Sequence, residues 1–467
     1  MVTGSVCGHG QHPRAPAVRD PVTRPSAWRI ALLPLAAGVA IRVYVVSLMQ
    51  VVHGNFLFLD DQGYDQIGWE LARAWHAGAF LPPETAAVTA SYFYYVFTAA
   101  VYFVIGRHWF VVKLIVALLS ALSVPAAASI GISLDGRRLG VRAAWLAALY
   151  PSAIFWGSTG LKDGPMAALL LAVAAIALRP LTMRRLAAAT PLLAVAFLCR
   201  PVEGFIGAGM LVVPAASLLR SRLGTPGQRL FVLLVGVPAA GALFAWQAAR
   251  YAPLLAGSES TLSLSTGPVT VKFDPSVFDF AHAVLSPVRW FGAGADPAII
   301  PGALVWTVML PATALGCWLL LRSGAPAARG VIVSALGFLY LYTCVFQGPG
   351  FSRQRFAVEV LLLVAALYAF GRHPRRASTL TALAACAVAP AELVQAQVIP
   401  AKVLALVVAA GGAGWLAARR ARWFSLHRRG YLGEHPPVVT IPAGSSGDNV
   451  SDVTPSIAPD DVFSATR

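Results

Sequence analysis

The sequence predicts an all-α polytopic membrane protein, a bundle of about twelve transmembrane helices. Three observations predict it. Of 467 residues, 57% are hydrophobic and only 12% charged, where a soluble chain carries about a quarter charged residues. Apolar runs of roughly twenty residues recur, the length that crosses a bilayer as a helix. Arginines gather in the short segments between those runs, and they supply nearly all of a formal net charge of +16. In a soluble protein that charge would point to nucleic acid. Placed between spans, it sets topology, and no nucleic-acid partner is expected. Strand-period alternation is not sustained, which argues against a β-barrel.

The elements follow in order. Residues 1–27 are a polar cytoplasmic lead, expected to be disordered. Arg14, Arg19, Arg24 and Arg29 in and just after it keep it inside. The first apolar segment, 28–52, is too long for a cleavable signal. An extracytoplasmic loop, 53–107, holds an amphipathic helix with Tyr64, Ile67, Leu71 and Trp75 on one face. The same loop holds the aromatic segment Ser91–Phe97, running to Gly106 and read as a helix packed at the membrane face. Span 2 is 109–132, followed by the basic loop 135–142. Spans 3 to 6 are 143–159, 164–179, 186–199 and 204–219, and span 7 is 230–249. A second outside loop, 250–300, is rich in Ser, Thr and Pro. Spans 8 to 12 are 301–321, 331–346, 356–371, about 378–397 and 400–418. The cytoplasmic tail, 419–467, has the Pro/Gly/Ser/Asp composition of disorder. This register leaves most of the 36 lysines and arginines on the cytoplasmic side. A crossing by 90–106 would flip every later loop and expose the arginine-rich ones, so that register is rejected.

The five cysteines show no C-x-x-C pair, and His53, His76, His108 and His282 have no ligand spacing. Neither a disulfide framework nor a structural metal is expected. A divalent ion could sit beside Asp60-Asp61, but nothing requires it, and no cofactor is needed. The 32 arginines against 4 lysines, with abundant alanine, point to a GC-rich bacterial genome.

In this topology the unusual charges share one face. Asp60, Asp61 and Asp65 lie in the first outside loop, Lys162 and Asp163 at the next exit, Arg200 and Glu203 at the third, and Arg353 and Arg355 after span 9. A carboxylate there can act as general base on an acceptor hydroxyl or amine. Arginines can hold a phosphate by forked hydrogen bonds and stabilise it as it leaves. Each piece has a plainer reading. Asp60 or Asp61 could cap a helix starting near Gln62. Asp163-Gly-Pro165 is a good helix start. Arg200, Arg353 and Arg355 could anchor spans in the head groups. The arginines at 353 and 355 stand against the positive-inside bias, which favours a functional role for them. Arg42, inside span 1, is expected to pair within the bundle or snorkel.

Asp60-Asp61-Gln-Gly-Tyr64 resembles the Asp-Glu-x-x-Tyr signature of the GT-C membrane glycosyltransferases, in the branch that uses lipid-phosphate sugars (protein O-mannosyltransferases and the lipid A aminoarabinose transferase). The stretch from Gly136 to Pro151, the exit Trp156–Asp163 and the segment Ser352–Phe356 resemble later family elements, covering roughly 30–370. The resemblance implies a GT-C-like fold and transfer of a sugar from a polyprenyl-phosphate carrier to a glycan, lipid or protein acceptor. It implies an active site on the outer face of the plasma (inner) membrane, with Asp60 as catalytic base. Asp61 takes the place of the family's glutamate and Asp163 that of its second acid, with Arg353 or Arg355 near the lipid phosphate. Tyr64, Lys162, Arg200 and Glu203 complete the expected substrate-binding set. The chain departs from the family at Asp61, which is shorter than glutamate. It departs again at Leu81-Pro82-Pro83-Glu84, which lacks the family's lysine, and no large extracytoplasmic domain follows the spans. A polysaccharide polymerase or ligase using the late arginines, and a lipid or sugar transporter, remain alternatives.

Overall fold

Apolar helices account for nearly all of the described chain, and one small hairpin interrupts them. The computed structural model describes residues 26–79, 91–222, 260–264, 267–271, 300–345 and 351–387. These belong to one compact unit, Met1–Leu404, and the second unit, Ala405–Arg467, lies outside the described residues. Also outside them are span 7, span 12, the end of span 11, both terminal segments and Leu81–Glu84. The helices are α1 (Ala27–His53), α2 (Leu59–His76), α3 (Tyr92–Ile105), α4 (Trp109–Ala121), α5 (Ser123–Asp135), α6 (Arg137–Leu149), α7 (Pro151–Ser158), α8 (Asp163–Ala177), α9 (Met183–Cys199) and α10 (Pro201–Arg222). After the hairpin come α11 (Ile300–Ser323), α12 (Pro326–Val345), α13 (Phe351–Arg372) and α14 (Pro374–Ala387).

Four stretches among the described residues are long and apolar enough to cross a membrane: Ala27–His53, Trp109–Asp135, Pro201–Leu218 and Pro301–Ser323. With the shorter apolar helices they make this a polytopic membrane protein. One small hairpin joins the helices, and two expectations, the basic loop 135–142 and an unbroken span 3, need correction. The hairpin pairs β1 (Ser260–Leu264) with β2 (Gly267–Val271) in antiparallel register, beside a described chain that is otherwise all helical. Thr261, Val269, Thr270 and Val271 are residues that favour extended backbone. The basic loop 135–142 is instead one glycine wide. Gly136, at φ +84°, makes the turn, and Arg137, Arg138 and Arg142 already ride on α6. Span 3 is broken in two, and span 2, which runs as one stretch Trp109–Asp135, is interrupted at the single residue Leu122. Pro125 lies in the first turn of α5, and Pro151 opens α7. A proline lacks the N–H that would have continued the helix.

α8 is the centre of the bundle. It is apolar all round and buried along most of its length, as an all-apolar helix must be. It packs against α4, α5, α9, α10 and α13.

The break at Pro151 explains Arg42, which is fully buried in α1. Pro151 cannot donate to the Ala147 carbonyl, and α6 ends there with its last carbonyls open. The Arg42 guanidinium reaches across from α1 and donates to Ala147 O at 3.1 Å and Ala148 O at 3.4 Å. It also donates to Gly38 O on its own helix at 3.0 Å. A cation at a helix C-terminus also meets the negative end of that helix's dipole. The pairing expected within the bundle is therefore with backbone carbonyls. Arg42→Leu raises the hydropathy of α1 but strips donors from two buried acceptors, each costing about 1–3 kcal/mol when left bare. The expected result is a lower melting temperature in detergent. A higher one would show that the carbonyls do not need the guanidinium.

Candidate functional site

The site begins with α2. The amphipathic reading places Tyr64, Ile67, Leu71 and Trp75 on one face, and the structure turns that face inward. Tyr64 and Leu71 are buried, and Ile67 and Trp75 pack against the core. The partner is α3. Gly68 makes the close approach possible: a Cβ there would stand 2.5 Å from Thr98 Cγ2. Aromatic rings fill the rest. Tyr64 lies 4.9 Å from the Tyr94 ring and 5.5 Å from Tyr95, and Trp75 lies 6.1 Å from Phe103.

α2 starts at Leu59, three residues earlier than expected from Gln62, so Asp60 and Asp61 sit in its first turn. The two carboxylates have different surroundings. Asp61 is fully buried, and its Oδ2 accepts the backbone N–H groups of Leu57 (3.2 Å) and Phe58 (3.3 Å). That is the capping task. Asp60 is half-buried beside the Tyr95 hydroxyl, on which its charge acts.

One turn further, Asp65 is buried. It accepts from the Tyr102 hydroxyl and from Arg107, whose Nη2 lies 2.5 Å and Nε 3.1 Å from Oδ2. The hydrogen bond to Asp65 holds the Arg107 guanidinium above its ordinary pKa, against a smaller effect of burial. This pair ties α2 to the turn between α3 and α4. Asp65 and Arg107 both stood in the sequence among the outside charges, but their pairing across 42 residues did not show there.

The exit 157–163 comes next to α2 and α3. The Tyr94 hydroxyl donates to Gly160 O. Lys162 is buried. Its Nζ bonds the Ser91 hydroxyl, donates to Cys199 O at 3.3 Å and stands 5.8 Å from the Tyr64 ring centroid. Asp163 opens α8, and its Oδ1 lies 2.5 Å from Arg200 Nη2. The other side of the same guanidinium, Nη1, lies 2.7 Å from Glu203 Oε1. Asp163 and Glu203 are both buried. The Asp61 and Asp163 carboxylates both lie near enough to the Tyr94 hydroxyl to act on it electrostatically. Thus the start of α2, the start of α3, the turn before α8 and the turn before α10 converge. Asp60, Asp61, Tyr64, Lys162, Asp163, Arg200 and Glu203 come together, and Lys162, Arg200, Asp163 and Glu203 carry balanced charge. Ser91, Tyr94 and Cys199 join them. Tyr94 was hidden in the sequence inside an aromatic run that reads as packing.

Arg355 takes different partners. It is buried one turn into α13, forms an ion pair with Glu359, and stacks 4.6 Å from the Trp306 ring. The Tyr150 hydroxyl donates to Glu359 Oε2 at 2.7 Å. Arg353 lies in the first turn of α13, and its side chain lies outside the described residues. Glu359 had a signal in the sequence, a lone acid inside an apolar span four residues after an arginine. Among the described residues, no three His, Cys, Asp or Glu side chains are placed to hold a metal ion.

No family model matches the chain, and no curated protein matches it. Among solved structures, the chain is similar to ArnT from Cupriavidus metallidurans bound to undecaprenyl phosphate, at TM-score 0.44 and 16% identity, over 78% of this chain. The alignment spans 62% of that chain's length.

Proposed function

We propose that the protein is a membrane glycosyltransferase that moves a sugar from a polyprenyl-phosphate carrier to an extracytoplasmic glycan, lipid or protein acceptor. The observation that carries this reading is the convergence of α2, α3 and the turns before α8 and α10 on one set of carboxylates and cations. In this reading the chain is a GT-C-like bundle of about twelve spans in the plasma (inner) membrane, with both termini cytoplasmic and the converging loops outside. Asp60 is the base, the role that the resemblance of Asp60-Asp61-Gln-Gly-Tyr64 implies for it. It takes the proton from the acceptor hydroxyl or amine as that atom attacks the anomeric carbon. The new glycosidic bond forms as the bond from the anomeric carbon to the phosphate oxygen breaks. The polyprenyl phosphate leaves with the electron pair. Asp163, committed to Arg200, sets the position of that guanidinium and of the turn carrying Lys162. The charge for the lipid phosphate is assigned to Arg353 or Arg355 on α13, the role the sequence resemblance implies for them.

The test is a comparison of polyprenyl-monophosphate sugars, by mass spectrometry of membrane lipids, in cells with and without the protein. One lipid-linked sugar should accumulate without it and return to its former level when the gene is restored. An unchanged pool would remove the transferase reading and favour a ligase or transporter.

A further inference from the structure

We infer that the end of the bundle opposite the candidate site is a docking surface for anionic phospholipid, built from arginines of α11, α12 and α14. A small apolar cavity marks that end. It is lined by Leu134 of α5, Leu178 just after α8, Leu320 of α11 and Ala328 of α12. Leu178 lies at the far end of α8 from Asp163, about 22 Å along its 15 residues. In the proposed orientation this end is cytoplasmic. Arg322 is in the last turn of α11 and Arg329 in the first turn of α12, and the two are tied: Arg329 Nη2 donates to Arg322 O at 3.2 Å. α14 packs on α11 and α13, which brings Arg375 and Arg376 of its first turn to the same end. Arg322, Arg329, Arg375 and Arg376 are all exposed. Arg372, the last residue of α13, is paired with Asp135 at 2.7 Å. Among the described residues Asp135 is the one acid at this end, so no described carboxylate balances the four exposed arginines.

Topology asks for cations at this end and nothing more. The arrangement goes further. Three of these arginines stand one helix turn outside an exposed apolar side chain on the same face of the helix. Arg322 follows Trp318, Arg329 precedes Val333, and Arg376 precedes Leu380. Trp318 is 50% exposed, Val333 57% and Leu380 38%. The Arg322 guanidinium lies over the Trp318 ring, 5.2 Å from its centroid, which orients its plane. A phospholipid has the same order along the membrane normal, a phosphate at the interface and apolar chains beneath it. The guanidinium takes the phosphate by forked hydrogen bonds, and the apolar side chain one turn deeper meets the first methylenes. A free phosphate ion would use the arginines alone and leave the apolar half of the pattern without a role. A zwitterionic lipid brings its own cation to the same arginines and gains less from them.

The test keeps the full-length protein in uncharged detergent and titrates it with phosphatidylglycerol or phosphatidylcholine of the same chains. Native mass spectrometry reads lipid retention, and a thermal melt reads stability. Wild type should hold phosphatidylglycerol about tenfold more tightly than phosphatidylcholine and melt higher in its presence. Arg322→Gln with Arg329→Gln, and Arg375→Gln with Arg376→Gln, should each lose most of that preference. Arg322→Lys with Arg329→Lys keeps the charge and should keep most of it. The control is Arg184→Gln with Arg185→Gln. It removes the same charge from the first turn of α9, which packs on α3, α8 and α10, and should leave the preference intact. Wild type without a preference overturns the inference. So does an equal loss in the α9 pair, which would reduce the effect to diffuse charge. Inorganic phosphate that raises the melt as far as phosphatidylglycerol does overturns it in favour of a free anion. None of these outcomes bears on the transferase reading.

Discussion

Asp60→Asn is expected to lower kcat by about 10² to 10⁴, the usual contribution of a positioned base, far more than any fall in the folded fraction. Asp61→Ala is expected to do the reverse. It should cost about 0.5–2 kcal/mol of stability as a lost helix cap, and activity should fall only as far as the folded fraction falls. The contrast comes from their surroundings. Asp61 Oδ2 is occupied by the Leu57 and Phe58 N–H groups, 3.2 and 3.3 Å away, at the point where the chain enters α2. An oxygen committed to two backbone donors is a poor place to receive a proton. Asp60, on the same turn, is half-buried beside Tyr95. Amide substitution there removes the charge and keeps the shape of the side chain. The measurements are a thermal melt in detergent and steady-state transfer with the lipid-linked sugar that accumulates in cells lacking the protein. If Asp61→Ala loses kcat while melting as wild type does, the two roles are exchanged.

The helices were legible in the sequence because apolar length decides them. α1, α8, α10, α11 and α13 begin and end within a few residues of the expected spans. What the spacing did not give were the breaks. Pro125 and Pro151 stand in continuous apolar runs, where hydropathy is blind to a missing N–H. The partner of Arg42 was hidden for the same reason: a carbonyl released by a proline 109 residues downstream leaves no mark in composition. Among the site residues, Lys162, Asp163, Arg200 and Glu203 were visible as charges at the ends of spans, and the structure joins them. Arg355 was visible too, with Glu359 four residues on along the same helix, but the Tyr150 hydroxyl and the covering Trp306 depend on how α13 packs against α6, α7 and α11. Asp65 and Arg107 were both visible as outer charges. Their pairing depends on the direction in which α2 and α3 cross, which Gly68 and Thr98 set by close approach.

Arg200→Leu should be the most destabilising single change at the site, by about 3–5 kcal/mol, the range for breaking a buried ion pair from one side. One guanidinium holds two buried carboxylates, Asp163 Oδ1 at 2.5 Å and Glu203 Oε1 at 2.7 Å. Glu203 Oε2 already has no hydrogen-bond donor among the described residues. Leucine would leave two like charges facing each other at the head of α8 and α10, away from water. Arg200→Lys should fall between, because an ammonium lacks the planar fork that serves two acceptors at once. Combining Arg200→Leu with Glu203→Gln should recover most of the lost stability, since Lys162 then balances Asp163 and no charge in the group of four is left uncompensated. Melting in detergent reads all of these variants, and Arg200→Leu melting with wild type would remove the argument. The recovered double variant should remain inactive, because the same guanidinium that neutralises Asp163 and Glu203 also fixes the turn from which Lys162 reaches Ser91 and the Tyr64 ring.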